Sequence, residues 1–337
     1  MDDLSRPSAI KRTLRSKGFT LFILLIVLIG IFTVLASVKG ASFFSMRVLT
    51  SILQDLAVPA FLAIGAGCLI LSGGIDISVS AVGAMSGIIL AVGISWWGLP
   101  WYVAVLVTLA FAALVGLLNA IFINELGMQP FIATMAMNAI VKALMLWIST
   151  NKNDGVMYSS INFVCEPLKK VINAKIGQLP VTVIILVAAF VIYGIMLKQT
   201  KFGREIYMLG GNRTCAQLCG VNARKVSYIL YINCSVLGAV SGIIYATRAM
   251  QGSFQALSGD QFTGMTAAVL GGISFMGGTG GMGGAFIGLL VLKTFNKGMM
   301  ICGSSTYLTA VLSGVLLIFA LALDYFSLRR QAKRLTV

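Results

Sequence analysis

The sequence predicts an all-α, polytopic membrane protein of about ten transmembrane helices, and three observations carry that expectation. Of 337 residues, 58% are hydrophobic and only 10% are charged, against about 25% charged in soluble globular domains. So few charges cannot cover a water-facing surface, and the mean hydropathy is +0.96. The apolar residues also recur in runs long enough to cross a hydrocarbon core of about 30 Å. Finally, the Lys and Arg residues gather in three short segments beside those runs, as cytoplasmic flanks of membrane spans do.

The apolar windows fall at 18–39, 50–71, 78–97, 101–124, 131–149, 180–198, 227–247, 262–279, 283–301 and 307–325. The first is longer than a signal-peptide core and has no clear small-residue cleavage pattern, so it reads as a retained span behind a basic tail at 1–17. Only Gly98–Pro100 separates 78–97 from 101–124, which predicts a tight helical hairpin. Pro130 and Pro180 stand just before spans, where proline suits a first helical turn. Within 262–301 glycine dilutes the hydropathy, and the span signal is weakest there. The organisation expected is a tail at 1–17, a transmembrane domain at 18–325 and a basic tail at 326–337.

Charge then orients the spans. Arg6, Lys11, Arg12, Arg15 and Lys17 precede the first span. Lys198, Lys201, Arg204, Arg213, Arg224 and Lys225 share the loop 199–226, and Arg329, Arg330, Lys333 and Arg334 end the chain. Ten spans with a cytoplasmic N-terminus put all three clusters on the cytoplasmic side and leave 150–179 outside, as a small cap or irregular loop. This distribution explains the formal charge of +15 without a nucleic-acid partner. The expected surroundings are a bilayer.

The inventory for chemistry is thin. The chain has no histidine, no phosphate-binding GxxxxGK[ST], no HExxH and no GxSxG elbow. Six cysteines fit neither a disulfide framework nor a zinc site, and they read as small buried hydrophobes. Gly278, Gly280 and Gly283 satisfy GxGxxG by accident, with no strand before them. The glycine run 271–284 reads instead as a broken helix or close packing. Gly83/Gly87, Gly238/Gly242 and Gly284/Gly288 are small-xxx-small faces that let helices approach closely. The acids are expected near span ends, which leaves Lys142, facing the bundle interior or snorkelling, as the one charge in mid-span. No metal, cofactor or catalytic group is expected.

The loop Thr200–Tyr228 is the most informative segment. Asn212 is a good N-cap for about two turns at Arg213–Cys219, and Gly220 stands where a glycine C-cap belongs. A short helix held by such caps is either a docking element for a partner protein or an interfacial helix at the headgroups. A second feature is LSGGIDISVS, in which Asp76 lies between two apolar runs. Gly73 and Gly74 allow a turn there, and Asp76 or Ser78 can satisfy the first amides of the next helix.

Four stretches, LSGGIDISVSAVGAMSG (71–87), MQPFIATMAM (128–137), TKFGREIYMLGGNRTCAQLCGVN (200–222) and AAVLGGISFMGGTGGMGGAFIGLL (267–290), occur in one order. Together they resemble the ribose/xylose/galactose-type permease subunits of bacterial ABC importers, over roughly 45–325. The resemblance implies a type II-like importer permease in the bacterial inner membrane, paired with a second copy or a paralogue. It also implies two copies of a separate ATPase, which hydrolyses the ATP, and an extracytoplasmic substrate-binding protein.

By the same resemblance, Gly211, Asn212, Arg213, Thr214, Cys215, Ala216, Gln217, Leu218, Gly220 and Asn222 form the helix that couples to the ATPase. Gly73, Gly74, Asp76 and Ser78 are the helix-start motif. Phe131, Thr134, Asn138 and Lys142 are the candidate solute pathway. The chain departs from the family pattern where MNAIVKALM carries Lys142 in place of an arginine, and in SGDQFTGMTAAV, which holds a single acid, Asp260. The solute expected is a monosaccharide such as a pentose or hexose. The neighbouring classes are branched-chain amino acid or nucleoside permeases of the same kind and, further off, a carrier working alone. An intramembrane enzyme would need a catalytic cluster that the chain lacks.

Overall fold

Glycine sets which helices occupy the centre. The computed structural model describes residues 17–150, 155–177, 179–305, 307–315, 318 and 322. The chain runs α1 (Lys17–Val38), α2 (Met46–Leu71), α3 (Val79–Ser95), α4 (Trp101–Asn124), α5 (Pro130–Ile148), β1 (Ser160–Asn162) and α6 (Glu166–Asn173). It continues β2 (Lys175–Ile176), β3 (Leu179–Pro180), α7 (Val181–Gln199), α8 (Lys201–Gly211), α9 (Arg213–Leu218), α10 (Ala223–Ala249), β4 (Gln251–Ser253), α11 (Asp260–Leu270) and α12 (Met282–Ile301).

Helix α10 packs against α2, α3 and α4, and almost every residue of α3 is buried. The seam between α3 and α10 joins two of the expected glycine faces. A Cβ on Gly83 would lie 2.8 Å from the Gly238 carbonyl oxygen, and one on Gly242 would fall on the Gly83 carbonyl. Backbones that approach this closely exclude any side chain between them. The third face works likewise: a Cβ on Gly284 would collide with the Gly271 carbonyl, and one on Gly288 with that of Ala267. Across the centre, the Ser241 hydroxyl donates to the Val58 carbonyl at 2.6 Å, tying α10 to α2.

Seven helices are long and apolar enough to cross a membrane among the described residues (α1, α2, α4, α5, α7, α10 and α12), and α3 is a shorter apolar helix. The described residues therefore do not confirm the count of about ten. The expected span at 262–279 is helical only as α11, eleven residues long. Beyond Leu270, Gly272, Gly277, Gly278 and Gly280 all have positive φ, a region glycine enters at little cost and other residues avoid. The chain there turns at these glycines before α12 begins at Met282. Residues 307–315 are helical, while the rest of the expected last span and both tails lie largely outside the described residues.

The connections collect at two ends. At one, Gly278 donates its N–H to the Leu71 carbonyl at 2.9 Å, Tyr207 donates to the Gly280 carbonyl at 2.8 Å, and Arg224 pairs with Glu125 at 3.4 Å. At the other, β1 pairs antiparallel with β4 and Ser95 donates to the Asn162 carbonyl at 3.0 Å. The described part of 150–179 is thus a small cap of short elements, with β1 packed on α3 and α6 on α10.

Candidate functional site

The turn after α2 shows why its residues are polar. Gly73, with φ +82°, ends the helix: its N–H and that of Gly74 return to the Ile70 and Leu69 carbonyls at 2.9 Å. Asp76 is 1% exposed. Its Oδ1 accepts from the Ser78 N–H at 2.8 Å and from the Ser78 hydroxyl at 2.6 Å, so the carboxylate starts α3 and Ser78 makes no side-chain cap of its own. Burial pushes the Asp76 carboxyl up from 3.8 to about 6, against the lowering effect of those bonds.

Three helices hold this turn from outside. Asn119 of α4 donates to the Ser78 hydroxyl at 2.9 Å. From α5, Thr134 accepts from the Ile77 N–H at 3.2 Å, and Asn138 donates to the Ile77 carbonyl at 3.0 Å. Tyr231 of α10 donates to the Ile75 carbonyl at 3.3 Å. Two groups read separately in the sequence, the helix-start motif and the α5 pair, therefore meet on one residue. Phe131 and Lys142 are exposed on α5, apart from that contact; Lys142 does not face the bundle interior. Asn119 and Tyr231 escaped the sequence reading. An amide inside the apolar run 101–124, five residues before the terminal Asn124, was the available signal for Asn119, since polar side chains in spans seek partners on other helices.

The loop 199–222 is built from three successive caps. Thr200 accepts from the Gly203 N–H, Asn212 from the Cys215 N–H and Asn222 from the Lys225 N–H, each at 3.0 Å. Helix α9 ends at Leu218, one residue before the expected Cys219, which becomes the C-cap. Gly220, at φ +84°, follows, and the Val221 N–H returns to the Ala216 carbonyl at 3.0 Å. Only Ala216 of α9 is buried, so Arg213, Thr214, Cys215, Gln217 and Leu218 all face outward. Leu218 is 84% exposed. Three residues before α9 the packing reverses: a Cβ on Gly210 would fall on the Leu71 carbonyl and 2.5 Å from the Gly278 N, whereas Gly211 has open space.

The acids are less peripheral than the sequence suggests. Because α2 begins at Met46, Asp55 lies well inside it, and Lys297 of α12 pairs with it at 3.2 Å. Lys142 is therefore not the only charge inside a span. Among the described residues no group of three His, Cys, Asp or Glu is placed to hold a metal.

Long apolar helices around a glycine-packed centre define a polytopic helical membrane protein. Residues 48–321 match the family described as branched-chain amino acid transport system / permease component, and the chain belongs to that family. It is similar to the ribose import permease protein of Escherichia coli (strain K12), at 32% identity over 306 residues, covering 90% of this chain and 92% of the relative. The D-allose transport system permease protein of Escherichia coli (strain K12) is 30% identical, covering 90% of each chain. The fructose import permease protein of Rhizobium meliloti is 30% identical, covering 89% and 84%. No solved structure matches the chain. The resemblance carried by the four sequence stretches is thereby borne out.

Proposed function

We propose that this chain is the transmembrane permease subunit of an ATP-driven importer, and that its solute is a monosaccharide. The observation that carries the reading is the similarity, across nine-tenths of the chain, to permeases named for ribose, allose and fructose. Three different sugars at similar identity favour the class over any one member. They also favour sugars over the amino acids in the family's description.

In this reading the protein is a type II-like permease of about ten spans in the bacterial inner membrane, with both termini cytoplasmic. It works as a pair with a second copy or a paralogue, takes solute from an extracytoplasmic binding protein, and is driven by two copies of a separate ATPase. Helix α9 enters a groove on that ATPase. Its outward side chains and capped ends support the role, because a helix held by its own caps keeps its shape while its face stays free. A push on α9 reaches α8, and Gly210 of α8 lies against the ends of α2 and the glycine segment before α12. The turn at Ile75–Ser78 is the next element along, bound through Thr134 and Asn138 to α5, whose exposed Phe131 and Lys142 face the pathway.

Alternating access requires a contact with different affinity for the solute in the two states. Reconstitution of the chain with its ATPase and binding protein in vesicles tests the proposal. ATP-dependent accumulation of D-ribose, D-allose or D-fructose is expected. Accumulation by the chain alone, without an ATPase, contradicts it.

A further inference from the structure

At the end of the bundle opposite α9, a cavity of about 520 Å³ opens between α2, α10, α11 and α12. That size lies within the range of small-ligand sites, about 300–1,000 Å³. Its lining includes Asp55, Arg248, Asp260, Lys293, Asn296 and Lys297. Asp55 stands nine residues into α2 and Lys293 eight residues before the end of α12. At 1.5 Å per residue both lie more than about 10 Å from the helix ends. Charged side chains at that depth are costly against lipid and line water-filled cavities or bind one another.

Pairing explains only part of the cluster. Lys297 pairs with Asp55 at 3.2 Å, and Arg248 donates to the Gln54 carbonyl at 2.6 Å. Lys293 and Asp260 form no ion pair among the described residues. Among the described residues the cavity thus keeps two cations without a carboxylate partner, Lys293 and Arg248, and one carboxylate without a cation, Asp260; Tyr245 and Asn296, whose Oδ1 accepts from the Ser313 hydroxyl at 3.0 Å, complete the polar lining.

We propose that this cavity is a binding subsite for a neutral polyhydroxylated solute of monosaccharide size. Adjacent hydroxyls of a sugar both donate and accept hydrogen bonds, so they match a site that offers a free ammonium and a free carboxylate together. A simple anion would gain from Lys293 and Arg248 but would leave the Asp260 carboxylate unmatched and be repelled by it, whereas hydroxyls can serve all three. Hydrogen bonds to charged groups are the stronger kind, and an aromatic ring suits the apolar face of a sugar. The inference rests on the proposed importer function and adds, apart from the Phe131 and Lys142 face of α5, a second place on this chain where the sugar is bound.

The test combines uptake with accessibility. In the reconstituted importer, Lys293→Met and Asp260→Asn should each lower D-ribose uptake about tenfold or more while the ATPase still co-purifies. If the unaltered importer accumulates no monosaccharide, the importer reading fails. If it does and both variants equal it, the subsite is overturned. For a readout that does not need those variants, Asn296→Cys is labelled with a membrane-impermeant maleimide and the modified peptide located by mass spectrometry. Labelling that D-ribose suppresses and D-ribose 5-phosphate does not supports a neutral-polyol site. Absence of labelling, labelling that D-ribose leaves unchanged, or stronger suppression by the phosphate ester overturns it.

Discussion

Two short stretches, Leu71–Ser80 and Gly211–Asn222, carry most of what is diagnostic in this chain, and they are built on opposite plans. The first is buried and held from outside by Asn119, Thr134, Asn138 and Tyr231, on three helices. The second is held almost entirely by its own Asn212 and Asn222 caps and leaves five side chains of a six-residue helix in the open. A turn that every neighbour grips transmits position, whereas a self-capped helix with a free face can be gripped by something else. The difference separates a fixed joint from a contact surface, and mutations should divide along it.

The sharpest division falls between adjacent glycines. Gly210→Ala forces a Cβ onto the Leu71 carbonyl and against the Gly278 N–H, where only backbone can move. Overpacking of this kind costs about 1–3 kcal/mol or more, so thermal unfolding of the purified protein should shift down strongly. Gly211→Ala meets open space and should leave the transition in place or raise it slightly, since alanine is the better helix former. Equal transitions for the two variants would break the distinction.

At Asp76 the joint should respond to charge as well as shape. Asp76→Ala leaves the Ser78 N–H and hydroxyl without their buried acceptor, a loss of about 1–3 kcal/mol. Asp76→Asn keeps an acceptor and removes a buried charge, so at pH 7.5 it should match or exceed the parent in stability. The sign follows from burial, which raises the folded-state pKa from 3.8 to about 6. Between those values the folded chain holds more protons than the unfolded one, and stability falls as pH rises through that window. Melting curves from pH 4 to pH 7 should show that decline in the parent and a shallower one in Asp76→Asn. A steeper decline in the variant would contradict the assignment.

The smallest effect on stability is expected in the exposed helix. Asn212→Ala removes the cap of α9 at about 0.5–2 kcal/mol. The loss should stay local, with faster hydrogen exchange at amides 213–218 and little change in α2 or α3. Asn212→Ser should restore the protection.

The sequence made some of this legible because the relevant physics is local or repetitive. Asn212 and Gly220 announce their caps within a single turn of chain, and Gly83/Gly87 and Gly238/Gly242 announce close packing by spacing alone. Partners were another matter. Nothing local to Thr134 and Asn138 says that both reach the backbone of Ile77, about sixty residues away, and nothing local to Asp55 says that it pairs with Lys297. The break after Leu270 was also hidden, because a glycine-rich apolar window reads the same to a hydropathy average whether it continues as one helix or turns at its glycines.

The central claim is that α9 is the surface through which this permease meets its ATPase while the buried turn stays a fixed joint. Co-purification of the ATPase with the membrane-extracted double variant Arg213→Glu, Leu218→Asp tests it most directly. The account predicts that the ATPase is lost while membrane insertion and the thermal transition remain those of the parent. Retention of the ATPase at the parent's level would contradict it.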